Sequence, residues 1–568
     1  MRNRAVGTLQ EALDTASSLI WGPFLLLPLL IGTGIFLTVR LGLIQLRLFT
    51  KAMSLQFGRR SRQEGAKGEI SSFQAMSTAL GATVGTGNIV GVALSLSIGG
   101  PGALFWMWVT AIFGMASKYT ECFLGVRFRH RDKMGELTGG PQAYLQRGIP
   151  NRFGKFLATM FAVCCVFACF GIGNMTQANA ISANLEHSFN IPPYLTAGVL
   201  ALGTAAALLG GIKTVSKVTA LCVPLMILLY LGFGAYIVAI NAHMLPEAFA
   251  MIMRGAFTGE GALGGAVGAG MIFALQVGAQ RSLFSNESGM GTAAIPAAVA
   301  TTSHPVRQGL ASMTQTFVDT IVVISMTGFI LLTTGAWRGD DPATSTSIAF
   351  ATGLPGNWGG YVVTFCLVLL GYSTVLGWSY YGERALESLG GGAKAIVSYR
   401  MIFALVCGLG AIAPLTLVFT FSDIMNGLMA IPNLIGLLLL SGLVARETKK
   451  YLTHDPNFEA TVDNIDSFMY GHPGGLDAQI DHEVDLTQKN PVLEHPDTTS
   501  LKVVTEKMLA DEASQSNQPQ LYDLTLEEVN TGSIPLQTGS LPIIQQAKPT
   551  FGSPTDPRAI DDSTKSTK

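Results

Sequence analysis

Residues 81 to 91 read GATVGTGNIVG, which sets Gly81, Gly85, Gly87 and Gly91 around the polar Thr83, Thr86 and Asn88. Together these types support one kind of chemistry. Glycine lets the backbone leave a helix and approach a ligand closely, and the freed N–H and C=O groups then bind anions and cations. A second glycine-rich run contains Gly264, Gly265, Gly268, Gly270 and Gly278 and leads into AQRSLFSNESGMG. Both lie in long apolar stretches, so the question is which elements hold them.

The chain has 568 residues, 49% of them hydrophobic and only 13% charged, with a mean hydropathy of +0.40. A soluble domain carries about a quarter charged residues. The composition is that of a polytopic all-α membrane protein embedded in a lipid bilayer. Runs of spanning length, about 17 to 25 residues, lie near 17–40, 72–97, 103–127, 156–185, 194–210, 215–240, 264–290, 311–335, 357–384, 395–413 and 415–445. That predicts about eleven spans. The first run is too long for a secretory signal and lacks a small-residue cleavage pattern, so it is expected to stay as a helix. The seven cysteines lie in or beside apolar runs and read as small core residues, not disulfides or metal ligands.

Loop charges alternate. Arg47, Lys51, Arg59, Arg60, Arg62 and Lys67 fill the first connection, and Arg127, Arg129, Arg131, Lys133, Arg147, Arg152 and Lys155 the third. The intervening loops SIGGPG, NLEHSFNIPPY and NAHMLPEAF contain no Lys or Arg. The positive-inside rule then places the C-terminus in the cytoplasm and the N-terminus outside, with Arg2 and Arg4 running mildly against it. Three regions follow: 1–71 with an extra helix and a basic loop, 72–445 as a core, and 446–568 as a largely disordered polar tail. Within the tail, SLKVVTEKMLADEA and LYDLTLEEV are candidates for transient amphipathic helices, and any partner of the tail is unknown.

Setting the first span aside leaves about ten, which divide into 72–240 and 264–445, the second set starting from the opposite side of the membrane. Each set begins with one of the glycine-rich runs. Matched glycine-interrupted helices in inverted repeats mark a transporter's binding site. Taken alone, each run also fits close helix packing through small residues.

GATVGTGNIVGVA, GGPGALFWMW, GNMTQANA at 173–180 and SLFSNESGMGTAAIPAA at 282–298 together resemble the signature stretches of the alanine or glycine:cation symporter family. The resemblance covers 72–445 and implies a leucine-transporter-like 5+5 inverted repeat, with the break at Val84-Gly85-Thr86-Gly87-Asn88. It implies symport of alanine or glycine with sodium as a co-transported ligand, no cofactor, and a place in the bacterial inner membrane. A zwitterionic substrate suits an unwound helix, whose dipoles replace water without a full protein charge. The backbone of Thr86 and Gly87, with the Thr86 hydroxyl, is assigned to the carboxylate. Candidate acceptors for the ammonium are Gln177 and Asn174, whose spacing of three places them on one helix face, and the carbonyls from Phe273 to Gly278. The resemblance favours Gln177. Trp378, one turn beyond Thr374, is a candidate cap or a packing residue. By the same resemblance the sodium ligands are the carbonyls of Gly81 and Val84 and the hydroxyls of Ser373 and Thr374.

Ionisable groups at membrane depth are functional candidates by default. Asp319, in TQTFVDTIVV, is either a proton relay or a buried structural acceptor. Lys118 and Glu121 are spaced for an ion pair. Glu287 is expected near the inner gate, with Asn88 a further coupling candidate, and Glu383 and Arg384 close the ninth span. Net charge is -1, and nothing points to nucleic acid. A channel needs a charged ring or continuous polar stripe, and an enzyme needs clustered catalytic groups. The eight histidines are dispersed, so neither class is favoured. The rival reading is a proton-coupled amino-acid transporter, supported by Asp319 alone.

Overall fold

The computed structural model describes residues 2–22, 24–57, 66, 68–132, 135–208, 211–258, 267–356 and 358–470. Gly264, Gly265 and both tail motifs lie outside them. The chain begins with α1 (Arg2–Trp21) and α2 (Leu26–Arg40), followed by the short α3 (Ile44–Arg47) and α4 (Phe49–Phe57). The first interrupted helix is α5 (Ser72–Thr83), a π-helical turn over Gly87–Gly91, and α6 (Val92–Gly99). Its start is fixed by a capping box: the Ser71 hydroxyl accepts from the Gln74 N–H at 3.2 Å and the Gln74 side chain accepts from the Ser71 N–H at 3.0 Å.

The chain continues through α7 (Gly102–Arg127), a two-residue hairpin pairing His130–Arg131 with Leu137–Thr138, and α8 (Pro141–Gly148). Next come α9 (Arg152–Phe170), a π-turn over Gly171–Met175 and α10 (Thr176–Phe189), then α11 (Pro193–Leu208), α12 (Gly211–Ile240) and α13 (Leu245–Thr258). The second half contains α14 (Val267–Asn286), α15 (Ala294–Ala298) and α16 (Pro305–Thr316), which passes through a π-helical stretch, Phe317–Ile324, into α17 (Ser325–Thr334). It closes with α18 (Ser345–Gly353), α19 (Gly359–Ser388), α20 (Ala393–Ile412), α21 (Leu415–His454) and α22 (Val462–Tyr470).

Among the described residues seven helices are long and apolar enough to cross a membrane, and the bent pair α5 and α6, at 45°, makes an eighth. The expected eleven are not reached by apolar length alone among the described residues. At 26 residues α7 is long enough to span but carries Lys118, Glu121 and Arg127. The Pro193–Leu208 helix is short. α7 packs along α14 and α16, while α9 and α10 pack on α19 and α11 packs on α20. Thus α7, α14 and α16 pack together with α6 against α7 and α14, whereas α5 packs on α12 and α19.

The expected boundary at 446 moves. α21 continues to His454, and α22 follows with Ile465 and Met469 buried. Polar composition hid these anchors, although Ile465 and Met469, four apart, lie on one helix face. Arg307 donates to the Tyr451 hydroxyl at 3.1 Å and to the Phe458 carbonyl at 3.2 Å, and Lys450 donates to the Met469 carbonyl at 2.9 Å. Residues 455–470 thus form a strap across the end of the molecule that carries the basic loops.

His304 lies under the strap, its ring 4.6 Å from that of Tyr451 and 6.1 Å from that of Tyr470. Its Nδ1 accepts from the Val306 N–H at 3.2 Å and caps α16. Burial, reinforced by Arg127, Arg307 and Lys450, holds its pKa well below 6.5. The folded state thus excludes a proton that the opened state takes up, and the resulting stability is present above pH 6.5 and lost as pH falls below it. Hydrogen-exchange protection factors in 455–470, taken relative to the intrinsic exchange rate at each pH, are expected to fall on acidification through that window. His304→Asn, which still caps, removes this component. Equal acid sensitivity in the variant would contradict the assignment.

Candidate functional site

At the first break α5 ends at Thr83, and the ψ of 97° at Val84, which follows it, takes that residue's carbonyl out of line with the helix hydrogen bonds. The break is held by side chains from elsewhere. The Thr86 N–H donates to Gln177 Oε1 at 3.2 Å, and the Gly85 N–H donates to Asn88 Oδ1 at 2.9 Å. Asn88 Nδ2 donates in turn to Asp319 Oδ1 at 2.7 Å. The Thr86 hydroxyl is buried without a hydrogen-bond partner among the described residues. A Cβ on Gly85 would lie 2.8 Å from Thr374 Oγ1 and 3.0 Å from Gln177 Oε1, so glycine is what lets these groups close on the backbone.

On the other side of the break, Thr374 Oγ1 is 2.8 Å and Ser373 Oγ 3.3 Å from the Gly81 carbonyl oxygen. Each hydroxyl also reaches the Leu370 carbonyl of its own helix, at 3.0 and 2.8 Å. Donation to Leu370 leaves the Gly81 oxygen and both hydroxyl lone pairs facing one another, an all-oxygen set suited to a hard cation. The structure thus brings Gly81, Thr86, Gly87, Asn88, Gln177, Asp319, Ser373 and Thr374 to one break. Trp378 adjoins them, fully buried, its indole N–H 3.3 Å from the Ala82 carbonyl and 3.0 Å from Glu287 Oε1.

Asn174 does not join Gln177. The spacing of three assumes α-helical geometry, but Asn174 sits in the wider turn Gly171–Met175 and donates instead to the Phe403 carbonyl at 2.7 Å. It is a link to α20. Phe273 and Gly278 are also displaced from the site. α14 runs unbroken from Val267 to Asn286; Phe273 lies on its outer side, 39% exposed. A Cβ on Gly278 would come within 2.5 Å of the Ala103 carbonyl. Gly278 serves close packing on α7, and the helix keeps its backbone bonds because unpaired groups cost several kcal/mol in a bilayer.

The second interruption comes later, at 287–293, where Glu287, Gly289 and Gly291 adopt positive φ of 56°, 97° and 84°. Glu287 Oε2 accepts from the Thr292 hydroxyl at 2.5 Å. Glu121 Oε1 accepts from the Gly291 N–H at 3.0 Å and from Asn433 Nδ2 at 2.7 Å, and Asn433 also binds the Gly289 carbonyl at 2.9 Å. No ion pair joins Lys118 to Glu121 among the described residues, and the Lys118 ammonium makes no hydrogen bond. Near the end of α19, Glu383 pairs with Arg400 at 2.7 Å and Arg384 with Asp132 at 3.2 Å.

Asp319 ties the two interruptions together. Besides Asn88 it accepts from the Ser285 hydroxyl at 3.1 and 3.0 Å and from the Thr320 hydroxyl at 2.9 Å. Ser285 and Asn433 were not singled out from sequence. Ser285 was legible in the SLFSNESGMG stretch, whereas Asn433 sits in an ordinary apolar run. An apolar groove of about 530 Å³ between α12 and the α18–α19 turn, lined by Phe233, Tyr236 and Trp358, touches none of these residues.

The model of the sodium:alanine symporter family matches residues 6–464. The chain belongs to the sodium:alanine symporter family. As a member of this family it is 48% identical over 444 residues to the sodium/alanine symporter AgcS of Methanococcus maripaludis, covering 77% of this chain and 96% of that one. It is 46% identical over 446 residues to an uncharacterized transporter of Haemophilus influenzae, covering 78% and 96%. A probable sodium/glutamine symporter, GlnT of Bacillus subtilis, is 35% identical over 447 residues, covering 78% and 91%. Among solved structures, a variant of the Eremococcus coleocola manganese transporter aligns with a TM-score of 0.44 at 14% identity, over 77% of this chain and 91% of that one. The protein is therefore a multi-pass membrane transporter that couples amino-acid movement to a cation, and membership of a symporter family speaks against an enzymatic role.

Proposed function

We propose that this symporter carries small neutral amino acids, alanine or glycine, inward with sodium by alternating access. It does so in the bacterial inner membrane, with the N-terminus outside and the C-terminus in the cytoplasm. The observation that carries the reading is the break at Val84–Asn88, which offers N–H groups on one side and an all-oxygen set on the other. The substrate carboxylate binds the backbone of Thr86 and Gly87 together with the Thr86 hydroxyl, displacing the Gln177 amide oxygen, which turns to the ammonium. Sodium sits among the Gly81 and Val84 carbonyls and the Ser373 and Thr374 hydroxyls. The five-plus-five arrangement, preceded by the extra helix, supplies the motion: the group containing α5, α7, α14 and α16 rocks against the rest. Relatives named for alanine and for glutamine fit a pocket that grades substrates by size, since one methylene is discriminated by only about 1–3 kcal/mol.

Labelled alanine uptake into proteoliposomes tests this. A sodium gradient at fixed pH is expected to drive uptake, whereas a pH gradient in sodium-free buffer is not; uptake in the second condition would favour proton coupling through Asp319. Thr374→Ala is expected to raise half-saturating sodium by about tenfold, the loss of roughly 1.4 kcal/mol of ligand interaction. Ser373→Ala should do less, because its oxygen lies farther from Gly81. Unchanged sodium dependence in both variants would move the cation elsewhere.

A further inference from the structure

α7 presents Gly114, Lys118, Glu121 and Gly125 along one face by their helical spacing. Both glycines lie against the second interrupted segment: a Cβ on Gly114 would be 2.9 Å from Ser288 Cβ, and one on Gly125 would be 3.0 Å from Ala294 Cβ. Lys118 and Glu121, between them, therefore face residues 288–294. Lys118 is fully buried, and its ammonium has no hydrogen-bond partner among the described residues. Glu121 is also fully buried, with Oε2 unpartnered. Three carboxylates, Glu121, Glu287 and Asp319, lie within electrostatic reach of the lysine. They come from α7, from the interruption after α14, and from the π-helical stretch between α16 and α17. Among the described residues the ion pairs use other carboxylates.

A buried ammonium without acceptors is expensive, as are buried carboxylates without a countercharge. A lysine is a compact charge on a flexible four-carbon stem, able to change partners without moving its helix. We propose that Lys118 is the shared countercharge of Glu121, Glu287 and Asp319, a positioning residue that links the second interruption to the substrate-binding break by exchanging among these carboxylates. Asp319 connects to the first break through Asn88, and Glu121 holds the second through the Gly291 N–H. An ammonium free to favour either side makes the geometry of each break depend on the charge state of the other. This rests on the reading of the first break as the transport site.

The test is sodium-driven alanine uptake into proteoliposomes by wild type, Lys118→Met, Lys118→Met/Glu121→Gln and Lys118→Met/Glu287→Gln, with half-saturating sodium measured for each. Absence of uptake by the wild type would fail the transport reading and leave this inference to be judged with another substrate of the family. With an active wild type, Lys118→Met is expected to lose about tenfold or more in uptake and to shift its sodium requirement. Removing a carboxylate charge as well is expected to restore uptake by about threefold or more and to return the sodium requirement toward wild type, the non-additivity expected of coupled charges. A misfolded single variant does not blunt the test, because rescue by either double variant supports the proposal. Wild-type uptake and sodium dependence in Lys118→Met, or rescue by neither double variant, would overturn it.

Discussion

Gly87→Val is expected to abolish alanine binding while leaving the protein inserted and monodisperse in detergent. A Cβ at this position would lie 3.1 Å from Ser285 Cα and 3.2 Å from both Ser285 Cβ and Phe284 Cδ1. The first of these is backbone of α14, which cannot give way as a flexible side chain does. Valine adds two methyl groups beyond that Cβ, and overpacking of this sort costs about 1–3 kcal/mol where the core can adjust. Here the adjustment has to come from the break itself, whose N–H groups are assigned to the substrate carboxylate. Affinity should therefore fall by about 100-fold or more, the packing cost plus the loss of a charge-assisted hydrogen bond. Binding of labelled alanine to purified protein measures it, and size-exclusion chromatography shows whether folding survives. Wild-type affinity in a well-folded Gly87→Val protein would remove this break from the site.

How far the sequence could be read differs between the two interruptions for a physical reason. The first was legible because Gly85, Gly87 and Asn88 are polar or permissive at the positions where the backbone leaves the helix. Around Gly264 to Gly278 glycine density suggested the same, but glycine permits a break without requiring one. Gly278 is instead explained by the nearby Ala103 carbonyl. The break that does form, at Glu287 to Gly291, carries two glycines at positive φ flanked by Asn286 and Glu287. Polar groups that can pair the freed backbone were the better signal. π-helical turns were not legible at all, and one of them turns Asn174 away from Gln177 toward Phe403. Such turns insert a residue into a helix without altering its composition. The strap past 446 was hidden for a related reason: Tyr451, Phe458 and Ile465 are apolar anchors set in polar sequence, and they matter only once α16 is beside them.

Asp319→Ala is the second substitution expected to be severe, and comparison with Asp319→Asn separates the two roles that the sequence left open. The alanine variant removes the carboxylate acceptor of Asn88 Nδ2, leaving it only the longer contact to the residue 319 backbone carbonyl at 3.3 Å, and removes the acceptor of the Ser285 and Thr320 hydroxyls at the same time. Each buried donor left unsatisfied costs about 1–3 kcal/mol. The hydroxyls can turn to other carbonyls, but the Asn88 amide is committed, because its Oδ1 holds the Gly85 N–H. Loss of the short charge-assisted bond loosens Asn88 and with it the break, and sodium-driven uptake should fall by about 100-fold, the effect of roughly 3 kcal/mol summed over the three lost acceptor bonds. Asparagine at 319 retains one oxygen to accept from Asn88, and hydroxyls can reverse to accept from its amide. A structural acceptor therefore loses only about tenfold on this change. A proton relay loses everything in both variants, since neither asparagine nor alanine ionises. Equal abolition by the two substitutions, with wild-type transport that follows a pH gradient, would make Asp319 the proton carrier; a graded loss with unchanged dependence on sodium makes it the post to which both interrupted helices are tied.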